Sequence, residues 1–164
     1  MKKEGFPPII DKNTKILVLG TMPGDMSLRT GEYYANPRNQ FWKLIFSIFN
    51  SGQTFYSYKE KVELLQKNKI GLWDVLANAQ REGSLDSNIG NKEFNDFYTL
   101  FMTYPNINKL IFNGQKSADY FKAKNSLIQE KEYLVLPSTS SANTTRTFEF
   151  KLKEWKVALT KFSS

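Results

Sequence analysis

The chain alternates between short, dense apolar runs and longer stretches whose apolar residues recur at helical spacing. KILVLG (15–20) is such a run and closes on a glycine, the form of a strand buried on both faces. NKLIFNG (108–114) and the first half of EYLVLPSTSSANTT (132–145) have the same form. QFWKLIFSIFN (40–50) sets Phe41, Leu44, Ile45, Ile48 and Phe49 on one helical face, with Asn39 as its candidate cap. SYKEKVELLQKNK (57–69) predicts a second helix, halted near Gly71. IGLWDVL (70–76) is too short for periodicity to choose between a strand and a turn of helix. The polar ANAQREGSLDSNIGN (77–91) reads as a connection into a helix from about Lys92 to Thr103, which Pro105 stops. QKSADYFKAKNSLI (115–128) is amphipathic and helical, and the lysine-studded RTFEFKLKEWKVALTKF (146–162) offers Phe150, Trp155, Leu159 and Phe162 for packing.

Strands alternating with helices predict an α/β sandwich on a parallel sheet. In such sheets ligands collect beyond the carboxyl ends of the strands. The three clearest strands end in GTMPGDMS, FNGQKS and LPSTSSAN, so parallel pairing would crowd these loops at one edge. The first is the longest: GTMPGDMSLRTGEYYANPRNQFW runs from residue 20 to 42 before its helix is under way. Loops of that length are functional or disordered, and paired tyrosines argue against disorder. An aromatic ring beside Asn and Arg suits a planar ligand that is stacked on its face and hydrogen-bonded at its edge, as nucleobases are. The glycines can equally be shaping a long connection. Asn113 can equally serve an Asn-Gly turn, and Thr144, Thr145 or Thr147 can cap the last helix.

Composition narrows the chemistry chiefly by what is missing. The 164 residues contain no cysteine and no histidine. That removes disulfides, thiol nucleophiles, imidazole bases and every thiolate- or imidazole-held metal site. Lys plus Arg exceed Asp plus Glu, 23 against 16, for a formal charge of +7, which favours a polyanionic partner. Length predicts one domain over 1–164. No run approaches the ~20 apolar residues of a membrane span. MKKEGFPPIID lacks the apolar core of a signal peptide, so a cytoplasmic protein with no membrane partner is expected.

Taken together, GTMPGDMSLRTGEYYANPRNQFW, GLWDVL, REGSLDSNI, FNG and LPSTSSAN resemble, in order, the motifs of the uracil-DNA glycosylase superfamily. The match is best to its hypoxanthine-DNA glycosylase branch and runs over about residues 15 to 160. The resemblance implies a three-layer α/β/α sandwich around a short, mainly parallel four-stranded sheet. It implies an enzyme, free of metal and cofactor, that flips a deaminated base out of double- or single-stranded DNA and hydrolyses its N-glycosidic bond; an enzyme that embraces a duplex is expected to be a monomer. Hypoxanthine is the first expectation and uracil the second. Carried over by position, Asn39 is catalytic, orienting the hydrolytic water through its carbonyl oxygen. Tyr34 stacks the base, Asn113 meets its edge, and Gly20, Thr21 and Met22 shape the base pocket. Gly24, Ser138, Thr139, Ser140, Ser141, Asn143 and Arg146 fall at the DNA backbone. The chain departs from the family pattern at Met22, which stands where the mismatch-specific branch has its catalytic Asn. It departs again at Asn36, for a usual His, and at Ser141, for a frequent Pro. Other readings are a non-catalytic nucleic-acid-binding member of the fold, a uracil- or mismatch-specific glycosylase, and an N-glycosidase of free nucleosides.

Overall fold

The computed structural model describes residues 2–55, 57–85 and 89–161. Its centre is a four-stranded sheet in the order β3-β2-β6-β7, formed by β2 (Ile16–Gly20), β3 (Ile70–Asp74), β6 (Lys109–Asn113) and β7 (Glu132–Leu136). Every pairing in it is parallel, and the register sets Gly20 beside Asp74 and Asn113 beside Leu136. Successive side chains of a strand point to opposite faces. Ile16 and Val18 therefore join one core with Ile70, Leu72 and Ile111, while Leu17 and Leu19 join a second with Leu110 and Phe112. Burial on both sides is why these strands are apolar almost without interruption.

The first core is roofed by α2 (Phe41–Phe49), α3 (Tyr58–Lys67) and α6 (Phe148–Thr160), through Phe41, Leu44, Leu65, Trp155 and Leu159. The second is covered by α4 (Phe97–Thr103) and α5 (Gln115–Lys124), through Phe97, Leu100, Ala118 and Phe121. This is the expected three-layer architecture. Local chemistry sets several of the boundaries. Ser57 accepts a hydrogen bond from the Glu60 backbone N–H, Asp96 from Thr99 and Thr147 from Phe150, each satisfying a donor of a helix's first turn.

The chain between 70 and 94 differs from the sequence expectation. Of the two forms left open for residues 70–74 the strand is the one taken, whereas the polar connection, expected to be irregular, is itself sheet. β4 (Leu76–Arg81) lies between β1 (Lys2–Glu4) and β5 (Ile89–Phe94) in a second, antiparallel sheet. Its apolar Leu76 and Ala79 enter the second core, while β5 shows solvent four exposed positions in a row. Residues 92–94 thus belong to β5, and the helix begins only at Phe97, behind the Asp96 cap. The Lys92 start fails because Asp96 supplies the N-terminal oxygen that Lys92 lacks. Phe150, expected to pack, is exposed and carries the Arg146 guanidinium over its ring at 4.7 Å; Phe162 lies outside the described residues. The short α1 (Asp25–Thr30) interrupts the long first loop and ends on Gly31, whose φ of 73° lies in the left-handed region that glycine tolerates.

Candidate active site

The three strand-end loops do meet. They enclose a cavity of about 400 Å³ at the carboxyl edge of the parallel sheet. Gly20, Thr21, Met22 and Gly24 line it from the first loop, with Tyr34 and Asn39 further along. Asn113 lines it from the end of β6, and Ser138, Thr139, Ser140, Ser141 and Asn143 from the loop after β7. Arg146 is not among the lining residues.

A buried threonine joins the two asparagines. Thr139 is 0% exposed, and its Oγ1 donates to Asn39 Oδ1 at 2.8 Å and accepts from Asn113 Nδ2 at 2.9 Å. Its backbone N–H donates to Asn113 Oδ1, also at 2.9 Å. Thr139 was expected at the DNA backbone. Its side chain instead lies between Asn39 and Asn113, where a hydroxyl can donate and accept at once.

Asn39 sits one residue ahead of the helix cap, which is Gln40. Its Oδ1 accepts from the Phe41 backbone N–H at 2.9 Å as well as from Thr139. A backbone N–H can only donate, so the atom facing it is the amide oxygen. With both lone pairs of Oδ1 engaged, the carbonyl oxygen does not offer water the acceptor expected of it. The amide nitrogen is the end left for the cavity. Asn113 is engaged as well, with Nδ2 donating to Thr139 and, at 3.2 Å, to Tyr34 Oη. What Asn113 retains for a ligand is acceptor capacity on Oδ1.

Tyr34 holds a left-handed backbone, φ 55°, sparsely populated for a residue with a Cβ. Phe41 stacks against its ring at 4.2 Å and an interplanar angle of 23°, fixing the plane that lines the cavity. Gly20 completes this corner. A Cβ there would stand 2.7 Å from Asp74 Oδ1 and 3.3 Å from Tyr34 Oη, so a larger residue would have to displace the Asp74 carboxylate. The preceding Tyr33 is packed edge-on against Phe6, and its hydroxyl donates to the Pro7 carbonyl at 3.0 Å. Burial, and then the Asp74 charge, push the Tyr33 phenol well up.

Several residues not foreseen as functional shape the site. Asp74, 4% exposed, ends β3 and lines the cavity beside Gly20. Buried Arg81 donates to the Pro23 carbonyl and, at 3.0 Å, to the Gly83 carbonyl, binding the first loop to the second sheet. Lys3 pairs with Asp25 and holds that carboxyl below its usual range, chiefly through its hydrogen bond. Lys151 is buried under the third loop, where Nζ donates to Gln40 Oε1 at 2.9 Å and to the Asn143 carbonyl at 3.0 Å. Desolvation lowers its pKa. Asn143, expected at the DNA backbone, spends its own amide on the Ser138 carbonyl at 3.1 Å and accepts from Thr145 Oγ1 at 2.7 Å. Ser138 and Ser140 accept from backbone N–H groups of the loop at 3.2 Å each, which leaves their hydroxyl hydrogens to donate outward.

A cavity lined by Tyr34, Asn39 and Asn113 at the carboxyl edge of an α/β/α sheet is the arrangement expected of a base-excising DNA glycosylase. Sequence comparison carries this further. The family model described as Uracil DNA glycosylase superfamily matches residues 7–160, and the chain belongs to that superfamily. It is 44% identical over 143 residues to a hypoxanthine DNA glycosylase of Methanosarcina barkeri, covering 87% of this chain and 89% of the relative. The corresponding Methanosarcina acetivorans protein is 43% identical over the same shares. A solution NMR structure from Methanosarcina acetivorans, provisionally called a uracil DNA glycosylase, superposes with a TM-score of 0.80 at 39% identity, over 97% of each chain.

Proposed function

We propose that the protein is a monofunctional DNA glycosylase that extrudes a deaminated base, hypoxanthine first and uracil second, and hydrolyses its N-glycosidic bond to leave an abasic site. The observation that carries the reading is the Asn39–Thr139–Asn113 chain, held where three strand-end loops close on one cavity. As the glycosidic bond breaks and the base leaves with its electron pair, Asn39 Nδ2 donates to one lone pair of the hydrolytic water and leaves the other to add to the anomeric carbon, and the water's proton passes to the departing base. The bond breaks with oxocarbenium character, so holding the water in line matters more than a strong base. Tyr34, backed by Phe41, stacks the extruded base. Asp74 and the Oδ1 of Asn113 present acceptors at its edge. Hypoxanthine and uracil each carry a ring N–H where their parent bases, adenine and cytosine, carry a bare ring nitrogen, so acceptors separate these two deaminated bases from their parents.

Lys151 is the desolvated lysine nearest the site, and a Schiff base would need its amine. That amine is spent on Gln40 and Asn143 and does not line the cavity, which supports hydrolysis without lyase chemistry. No helix among the described residues is long and apolar enough to cross a membrane. The enzyme works as a monomer on cytoplasmic, nucleoid DNA, with Ser138, Ser140, Ser141 and the backbone at Gly24 contacting phosphates. The test is incubation with duplexes carrying one inosine, uracil or xanthine, followed by alkaline cleavage at abasic sites. Scission at inosine and, more slowly, at uracil is expected. Intact strands with all three substrates would overturn the reading.

A further inference from the structure

Among the large hydrophobic side chains that the described residues expose, only Leu85 lines the cavity. It is 54% exposed and lies in the segment joining β4 to β5. The residues just before it are anchored. The Gly83 carbonyl accepts from Lys3 Nζ at 2.6 Å and from Arg81 Nε at 3.0 Å, and Ser84 Oγ accepts from the Asp25 backbone N–H at 2.8 Å. Leu85 is therefore presented from a base fixed to the first active-site loop. The loop after β7 also lines the cavity, and those of its lining residues that are exposed, Ser141 and Ala142, have small side chains.

Resting on the glycosylase reading above, we propose that Leu85 is the wedge that enters the base stack when the target nucleotide is extruded. Extrusion leaves a base-sized gap between two apolar faces, and a polar filler there would lose its water without gaining partners. A branched aliphatic side chain fills the gap, props the neighbouring bases apart and buries surface that the free protein exposes. This favours the extruded state over the stacked one. Ser141 and Ala142 are too small to do it and remain at the phosphates.

Single-turnover excision of inosine, from a duplex and from the same strand unpaired, tests the assignment. Leu85→Ala should lose about tenfold or more on the duplex, and stay within about twofold of wild type on the single strand, where little stacking opposes extrusion. Leu85→Met should recover most of the duplex rate. Leu127→Ala, which removes an exposed leucine outside the cavity, should leave both rates unchanged. As a second readout, 2-aminopurine placed beside the lesion should brighten when the wild type binds and stay dim with Leu85→Ala. Equal losses on the two substrates, an unimpaired duplex rate, or equal brightening would overturn the wedge while the glycosylase stands. A wild type that excises inosine from neither substrate overturns the glycosylase reading and the wedge with it.

Discussion

Asn39 shows how one amide serves the fold and the chemistry from opposite ends. Its oxygen is committed to the first turn of α2 and to Thr139, and since the residue lines the cavity, its nitrogen is the end left to serve there. Asn39→Asp separates the two duties. A carboxylate still accepts both hydrogen bonds, so the thermal midpoint should hold near that of the wild type. The N–H donor is gone, however, and removal of one positioned donor from an active site costs roughly 100- to 1,000-fold in rate. Asn39→Ala loses both functions, and chemical denaturation should show it about 1 kcal/mol less stable than the wild type. A fully active Asn39→Asp would mean that the oxygen carries the chemistry after all. Thr139→Val should separate the asparagines in a similar way. It keeps the shape but leaves buried polar partners unmatched, at about 1–3 kcal/mol in stability and with a slower excision rate.

At the scale of elements, the loop after β7 is held from beneath by a helix. Lys151 of α6 reaches the Asn143 carbonyl and the Gln40 side chain, and Trp155 Nε1 donates to the Pro137 carbonyl at 3.0 Å. Lys151→Met keeps the bulk of the stem and removes the donors. Amide exchange at Ser140–Asn143 should then accelerate by about tenfold or more, and stability should fall by about 1–3 kcal/mol. Unchanged exchange would show that the tether is dispensable. The sequence makes such elements legible to different degrees. β2, β6 and β7 are read easily because burial on both faces leaves an apolar run, and their terminal loops carry the residues that reach the cavity. β4 and β5 escape because β5 lies exposed and shifts in the hairpin's register leave little alternation to read. Asp74 escapes for another reason. Thirty-odd residues separate it from Asn39, and only the parallel register that sets it beside Gly20 brings it into the site. Thr139 was visible as a loop hydroxyl, but its two asparagine partners lie on other strands' loops, and no local pattern reveals them.

For the molecule as a whole, titration bounds stability and charge governs encounter. Tyr33 and Tyr58 both have raised pKa values, through burial first. In the unfolded chain a tyrosine ionises near its ordinary value of 10, while the folded protein holds these two protonated to higher pH. Above pH 10 the folded state therefore binds more protons, and stability falls as pH rises, by up to about 1.4 kcal/mol per unit for each group. Urea midpoints at pH 8, 10 and 11 should decline over the last step, and less steeply in Tyr58→Phe. The formal charge of +7 makes the opposite demand on salt. If about five phosphates are neutralised in the complex, the logarithm of duplex affinity should fall against the logarithm of salt with a slope of about −4 to −5. Arg146 is exposed, rests on Phe150 and lies outside the cavity, so its contribution should be purely to this encounter. Arg146→Ala is expected to reduce the slope by about one and to weaken binding alike for lesion-bearing and undamaged duplex. The excision rate at saturating enzyme should stay at the wild-type value, because no group that faces the base or the water has changed. A slope identical to that of the wild type would remove Arg146 from the phosphate contacts and assign the charge dependence to the lysines instead.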